Sequence, residues 1–222
     1  MTRQLSFDLP AKPALGRDDF LVAPSNAIAV AMIEAWRDWA GRKFVLTGPS
    51  GAGKTHLTHV WATESGARIV AATDLAQADI PALAHGCVAV EDVPDIAQDA
   101  AAQTALFHLH NLVLAEGHSL LLTGAAPMPH WNLTLPDLAS RVAAAQAAAM
   151  DPPDDALLSA VLAKLFADRQ LTPPADVIPY LTRRMDRSFA AARDLVAALD
   201  AASLARQRPV TRSLAAQVLD KG

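Results

Sequence analysis

One eight-residue segment constrains this chain more than any other feature: Gly48-Pro49-Ser50-Gly51-Ala52-Gly53-Lys54-Thr55, a G-x-x-x-x-G-K-[ST] pattern. It follows the short apolar run KFVLT and precedes HLTHVWA, so it reads as the turn between a buried strand and a helix. A loop of this kind cradles phosphate. The glycines let backbone N–H groups turn inward onto phosphate oxygens, and the following helix adds its positive N-terminal end. Lys54 supplies a point charge for the β- and γ-phosphates and Thr55 a hydroxyl for Mg²⁺. The whole stretch from Gly48 to His56 is expected to hold nucleotide.

Around the loop, further apolar runs of strand length recur at ARIVAA, CVAVEDV and SLLLTG. Helical stretches lie between them, notably from Gln98 to Glu116. Upstream, SNAIAVAMIEAWRDWA predicts a helix from Ser25 to about Ala40, with Ser25 as its N-cap. Strand–helix alternation implies a mostly parallel sheet covered on both faces, with right-handed crossovers. After Met150 the pattern changes. Asp151-Pro152-Pro153-Asp154 is a helix-start signal, and the four stretches beyond it all read as helices, with Pro209 breaking the chain before the last. The division expected is a tail or linker over 1–19, an α/β nucleotide-binding domain over 20–150 and an α-helical domain over 151–222.

A phosphate loop needs a second, acidic element at the end of a neighbouring strand. CVAVEDV supplies Glu91 and Asp92. Such a pair holds magnesium through the nucleotide (Glu91) and orients an attacking water (Asp92). The common first residue there is Asp, and the longer Glu91 shifts the carboxylate by about one methylene.

Composition narrows the class. Hydrophobic residues make up 52% of the chain, which excludes a disordered protein. No apolar run approaches the roughly 20 residues that span a bilayer, and the N-terminus lacks the order of a signal peptide. Cys87 is the only cysteine, so no intrachain disulfide forms, which fits a cytoplasmic location. A net charge of −4 argues against a whole-chain electrostatic grip on nucleic acid, though the C-terminal Arg183, Arg184, Arg187, Arg206, Arg208 and Arg212 leave a local patch open. His56, His59, His108, His110 and His118 have no coherent metal spacing. Trp36, Trp39 and Trp61 read as packing residues.

Three stretches carry a resemblance to AAA+ ATPases of the bacterial initiator (DnaA) class. DDFLVAPSNAIA matches a Phe-x-Val-x-x-x-Asn segment that lies beside the adenine in that class, through Phe20, Val22 and Asn26. LPDLASRV resembles a segment ending in Ser-Arg whose arginine reaches a neighbour's nucleotide, here Arg141. ARDLVAALD resembles the lid helix whose arginine senses the γ-phosphate, here Arg193. NLTLPDLASRV, DRSF and ASLARQRPVT resemble most the DnaA-related regulators that inactivate the initiator. The resemblance implies an α/β AAA+ P-loop NTPase with a parallel five-stranded sheet, followed by a small helical lid. It implies ADP or ATP with Mg²⁺ as ligands. One departure stands out: the strand LLLTG leads into Ala125, where the class carries a polar or acidic sensor. With Glu91, this implies weak intrinsic ATPase at most.

The N-terminal strip Gln4-Leu5-Ser6-Phe7-Asp8-Leu9 resembles the short peptide that docks on the bacterial DNA sliding clamp. Its alternation offers Leu5, Phe7 and Leu9 to one face of an extended peptide, which equally fits a first strand or a tail packed on its own domain. The resemblance as a whole implies a negative regulator of DNA replication initiation. It would bind the clamp, reach DNA only through it, and stimulate ATP hydrolysis by the initiator DnaA through Arg141 in trans. The chain's own chemistry would then be secondary to its partner's. The helix-turn-helix DNA-reading domain of the initiator is expected to be absent. A self-contained AAA+ loader or remodeller, a nucleic-acid-binding module and a paralogue that anchors the initiator without stimulating it remain as alternatives, and a homo-oligomer stays open.

Overall fold

A computed structural model describes residues 20–220. Five strands form one parallel sheet: β1 (Lys43–Thr47), β2 (Arg68–Ala71), β3 (Val88–Glu91), β4 (Leu120–Gly124) and β5 (Gln146–Ala149), in the order β2-β3-β4-β1-β5. The base domain also holds α1 (Ala27–Glu34), α2 (Lys54–Ser65), α3 (Ile80–Ala84), α4 (Ala100–Ala115) and α5 (Pro136–Ala143). Among the described residues after β5 come four helices and no strand: α6 (Asp155–Asp168), α7 (Val177–Thr182), α8 (Phe189–Arg206) and α9 (Arg212–Leu219).

The near-continuous apolar strands are explained by burial on both faces, and alternate residues sort to opposite sides. Val45, Val88, Val90, Leu120 and Leu122 join the core shared with α4 and α5. Phe44, Leu46, Ala89 and Leu121 join the core shared with α1 and α2. The four C-terminal helices bury a separate core around Leu158, Leu162, Phe166, Leu181 and Val196. Three of them start on a side-chain cap: Asp154 accepts from Leu157 N, Ser188 from Ala191 N and Thr211 from Leu214 N. Each such cap is worth about 1 kcal/mol.

Two local expectations are corrected. The first helix starts after Asn26, not Ser25, whose hydroxyl is buried without a partner. It also ends at Glu34, giving way to 3-10 turns at Trp36–Asp38 and Ala40–Arg42. The cause is Trp39. Its indole N–H donates to Met32 O, and its ring stacks between Phe44 and Trp61 at 4.9 and 5.3 Å. Burying that ring outweighs the few tenths of a kcal/mol per residue that helix propensity offers. The fifth strand, Gln146-Ala147-Ala148-Ala149, has low β-propensity and no apolar alternation to announce it. It forms because its backbone pairs with β1, from Phe44↔Gln146 to Thr47↔Ala149.

A candidate phosphate site and a remote arginine

The end of β1 and the start of α2 hold the G-x-x-x-x-G-K-T loop between them. Lys54 is buried, and its ammonium donates to Gly48 O at 2.7 Å and Pro49 O at 3.1 Å. Burial lowers its pKa below the ordinary lysine value, while Asp92 and Glu91 pull it back up. Thr55 is exposed beside it. Glu91 ends β3, and its Oε1 is buried with no hydrogen-bond partner. A buried, unsatisfied carboxylate oxygen near a lysine is costly by itself, and a hydrated cation brought in with phosphate would satisfy it. The donor set therefore fits a Mg²⁺–nucleotide. Lys54 and the loop N–H groups would hold the phosphates, Thr55 and Glu91 would hold the ion, and the ion would supply charge neutralisation between phosphate oxygens.

Asp92 is exposed in a left-handed conformation (φ 55°), and its N–H donates to Thr123 Oγ1 at 3.1 Å. Thr123 is fully buried in β4. It is the polar group by which β4 touches the acidic element, and sequence alone does not single it out. Ala125 lies two residues further on, exposed. The signal was present: Thr123 carries the one side-chain hydroxyl in LLLTGAA.

The lid sits directly on the loop. Phe189 N donates to Gly51 O at 3.0 Å. A Cβ on Gly51 (φ 77°) would come within 2.2 Å of Ser188 Cβ, and one on Gly53 (φ 98°) within 3.0 Å of the Phe189 ring. Glycine at these positions thus serves the lid contact as well as the turn. Arg193 is exposed on α8, four residues after Phe189 and so on the same helix face.

Phe20 is buried and packs edge-on against the His56 ring, with centroids 5.0 Å apart. Asn26 is buried but its side chain is already engaged: Oδ1 accepts from Ala23 N and Nδ2 donates to Leu21 O, each at 2.9 Å. It holds the segment carrying Phe20 and Val22 against α1, and Val22 is half exposed. Among the described residues, no group of three or more His, Cys, Asp or Glu side chains could hold a metal ion by itself.

Arg141 lies elsewhere. It is exposed near the end of α5, with its guanidinium carbon 5.2 Å from the centre of the Phe107 ring. Its carbonyl accepts from Lys43 Nζ at 2.8 Å. Lys43 begins β1 and the phosphate loop follows its end, so four residue steps, about 13 Å, separate this anchor from the loop along the strand. Burial lowers the Lys43 pKa, and the Arg141 cation lowers it further. Buried His110 is likewise held below the usual histidine value, chiefly by burial. Asn111 opposes this, and Lys43 and Arg141 add to it. Residues 4–9, expected to form the clamp peptide, lie outside the described residues.

A parallel sheet with β1 between β4 and β5, a phosphate loop after β1, an acidic strand end on β3 and a helical lid over the loop make up the α/β P-loop fold of the AAA+ type. Residues 155–219 match the family described as "Hda, lid domain". The fold is similar to domain III of the replication initiation protein DnaA from Thermotoga maritima, with a TM-score of 0.82 and 17% identity over 96% of this chain and 98% of that one. It is also similar to AMPPCP-bound DnaA from Aquifex aeolicus, with a TM-score of 0.73 and 16% identity over 84% and 65%. A third likeness is to the replication initiator DnaA bound to AMPPCP and single-stranded DNA, with a TM-score of 0.73 and 18% identity over 88% and 68%. The chain therefore joins a C-terminal part that matches the Hda lid domain to a fold like that of DnaA domain III.

Proposed function

We propose that this protein is an Hda-like negative regulator of replication initiation. It binds ADP or ATP with Mg²⁺ in the loop over Gly48–Thr55. It docks on the DNA-loaded sliding clamp through Gln4–Leu9, and supplies Arg141 to the nucleotide of ATP-bound DnaA. The observation that carries this reading is the position of Arg141. It is exposed, and its backbone is anchored at the far end of β1 from the chain's own phosphate loop. An arginine so placed serves a neighbour's phosphates better than its own. A supplied arginine is worth about 10³–10⁵ in rate in other nucleotide hydrolases. The Hda-type lid supports the same reading.

The test follows ATP hydrolysis by DnaA with clamp on DNA, adding the wild type, Arg141→Ala, or Leu5→Ala/Phe7→Ala. Stimulation by the wild type and its loss in both variants are expected. No stimulation by the wild type would overturn the proposal. A self-contained ATPase is the second reading, favoured by the unsatisfied Glu91 oxygen and the Thr123–Asp92 bond beside an intact loop. Vigorous turnover by the isolated protein, abolished by Lys54→Ala, would select it.

A further inference from the structure

The last turn of α5 leaves one carbonyl to be served from outside. Ala144 N donates to Ser140 O and Ala145 N to Val142 O, so the tightening turn skips Arg141 O. Helix ends of this kind need a donor from elsewhere, and a cation is favoured there by the helix dipole. Lys43 provides both, reaching across from the start of β1, 98 residues away in sequence, to place its ammonium on Arg141 O at 2.8 Å. Only Ala144 and Ala145 separate α5 from β5, whose pairing with β1 begins at Phe44. One strand residue and its neighbour therefore fix both the chain after Arg141 and the carbonyl of Arg141 itself.

The arrangement has an electrostatic cost that stability alone does not explain. Lys43 is partly buried, and the charge of a second cation, Arg141, acts on it. The two positive groups repel, so the guanidinium is disfavoured from folding back over the ammonium and lies instead over Phe107 on α4. A like-charged anchor thus holds the backbone of the arginine while keeping its head pointed away.

We propose that Lys43 is a positioning residue for Arg141: by capping the C-terminal turn of α5 it fixes where the arginine side chain begins, and so how well its guanidinium meets a phosphoryl group on a partner. The proposal rests on the arginine-finger reading above. Lys43 acts on Arg141 through its backbone, at the end of β1 away from this chain's phosphate loop, so it should govern the maximum stimulated rate and not the concentration at which the protein engages its partner.

The experiment uses full-length protein, ATP-loaded DnaA and clamp on DNA, and titrates wild type, Lys43→Met, Lys43→Arg and Arg141→Ala. Amide hydrogen exchange at Ala144 and Ala145 is measured on the free protein. Lys43→Met, which keeps the apolar stem and removes the donor, is expected to lower the maximum stimulated rate about 5- to 10-fold with an unchanged half-maximal concentration. Exchange at the two amides should rise. Lys43→Arg, which still donates, should recover most of the rate and the protection. If Arg141→Ala abolishes stimulation while Lys43→Met keeps the full maximum rate, or moves only the half-maximal concentration, the positioning role is overturned and the finger stands. If Lys43→Met and Lys43→Arg are equally impaired, a local packing defect explains the loss and the proposal falls. If wild type stimulates nothing, the finger reading itself fails. Unchanged exchange in Lys43→Met overturns the cap whatever the kinetics show.

Discussion

Two lysines with depressed pKa values stand at opposite ends of the sheet, and their surroundings differ in sign. Lys54, beyond the end of β1, feels Glu91 and Asp92, which pull its pKa up against burial. Lys43, at the start of β1, feels Arg141, which pushes it further down. The first end carries its own acids and suits a ligand that brings phosphate and a divalent cation together. The other gathers Lys43, Arg141 and the nearby His110, whose pKa both cations lower. On the proposed reading, that cationic end meets negative charge brought by another molecule. The same residue type thus sits among acids at one end and beside a second cation at the other.

The largest effects should separate the two ends cleanly. Arg141→Ala is expected to reduce stimulation of DnaA hydrolysis by about 10³-fold or more, while leaving this chain's affinity for fluorescent ADP unchanged. Lys54→Ala should do the reverse in kind, weakening ADP affinity about 100-fold through loss of a desolvated charge on phosphate. Equilibrium titration with the labelled nucleotide measures both. If Arg141→Ala weakened ADP binding as much as Lys54→Ala, the ends would not be independent and the contrast would collapse.

A smaller effect belongs to Thr123, which links β4 to Asp92 at the phosphate end. Thr123→Val keeps the shape but leaves the Asp92 N–H without its acceptor, at a cost of about 1–3 kcal/mol. Urea unfolding should show that loss, and Thr123→Ser should restore most of it. The far end should be insensitive: hydrogen exchange at Ala144 and Ala145 should match wild type.

Much of the phosphate end was legible because its chemistry is written in contiguous residues. Gly48 to Thr55 needs only its flanking strand and helix to be read, and Glu91-Asp92 ends an apolar run that burial on both faces demands. What escaped was set by pairing across the sheet. β5 is an alanine-rich stretch that becomes a strand only against β1. Thr123 matters because β3 and β4 lie side by side and bring it to Asp92, 31 residues away. Lys43 looked like an ordinary first residue of a strand, since nothing local announces a bond to position 141. The sequence marks Trp39 as a packing residue, but the helical spacing of its neighbours does not show that its burial ends α1 early. Sequence periodicity reports which face is apolar and is silent on which distant backbone group a polar side chain will meet.

The smallest expected effect is a pH dependence at the cationic end. His110 is buried on α4, its Nε2 has no hydrogen-bond partner, and its pKa lies below 6.5 in the folded protein. Burial is the main cause, Asn111 raises it, and Lys43 and Arg141 lower it. In the unfolded chain the same ring takes up a proton near its ordinary value. As pH falls through 6.5, the unfolded state therefore binds more protons than the native state, and stability falls. The loss continues until pH reaches the lowered folded value, below which both states are protonated and this contribution is flat. Urea midpoints taken from above pH 6.5 downward should show this decline, and His110→Leu should flatten it. Lys43→Met removes one of the two cations that depress the pKa, so the window should narrow from its acid side and the total loss should shrink. An identical slope in wild type and Lys43→Met would mean that the Lys43 charge does not reach His110, and that the positive end of the sheet is less tightly coupled than its geometry indicates.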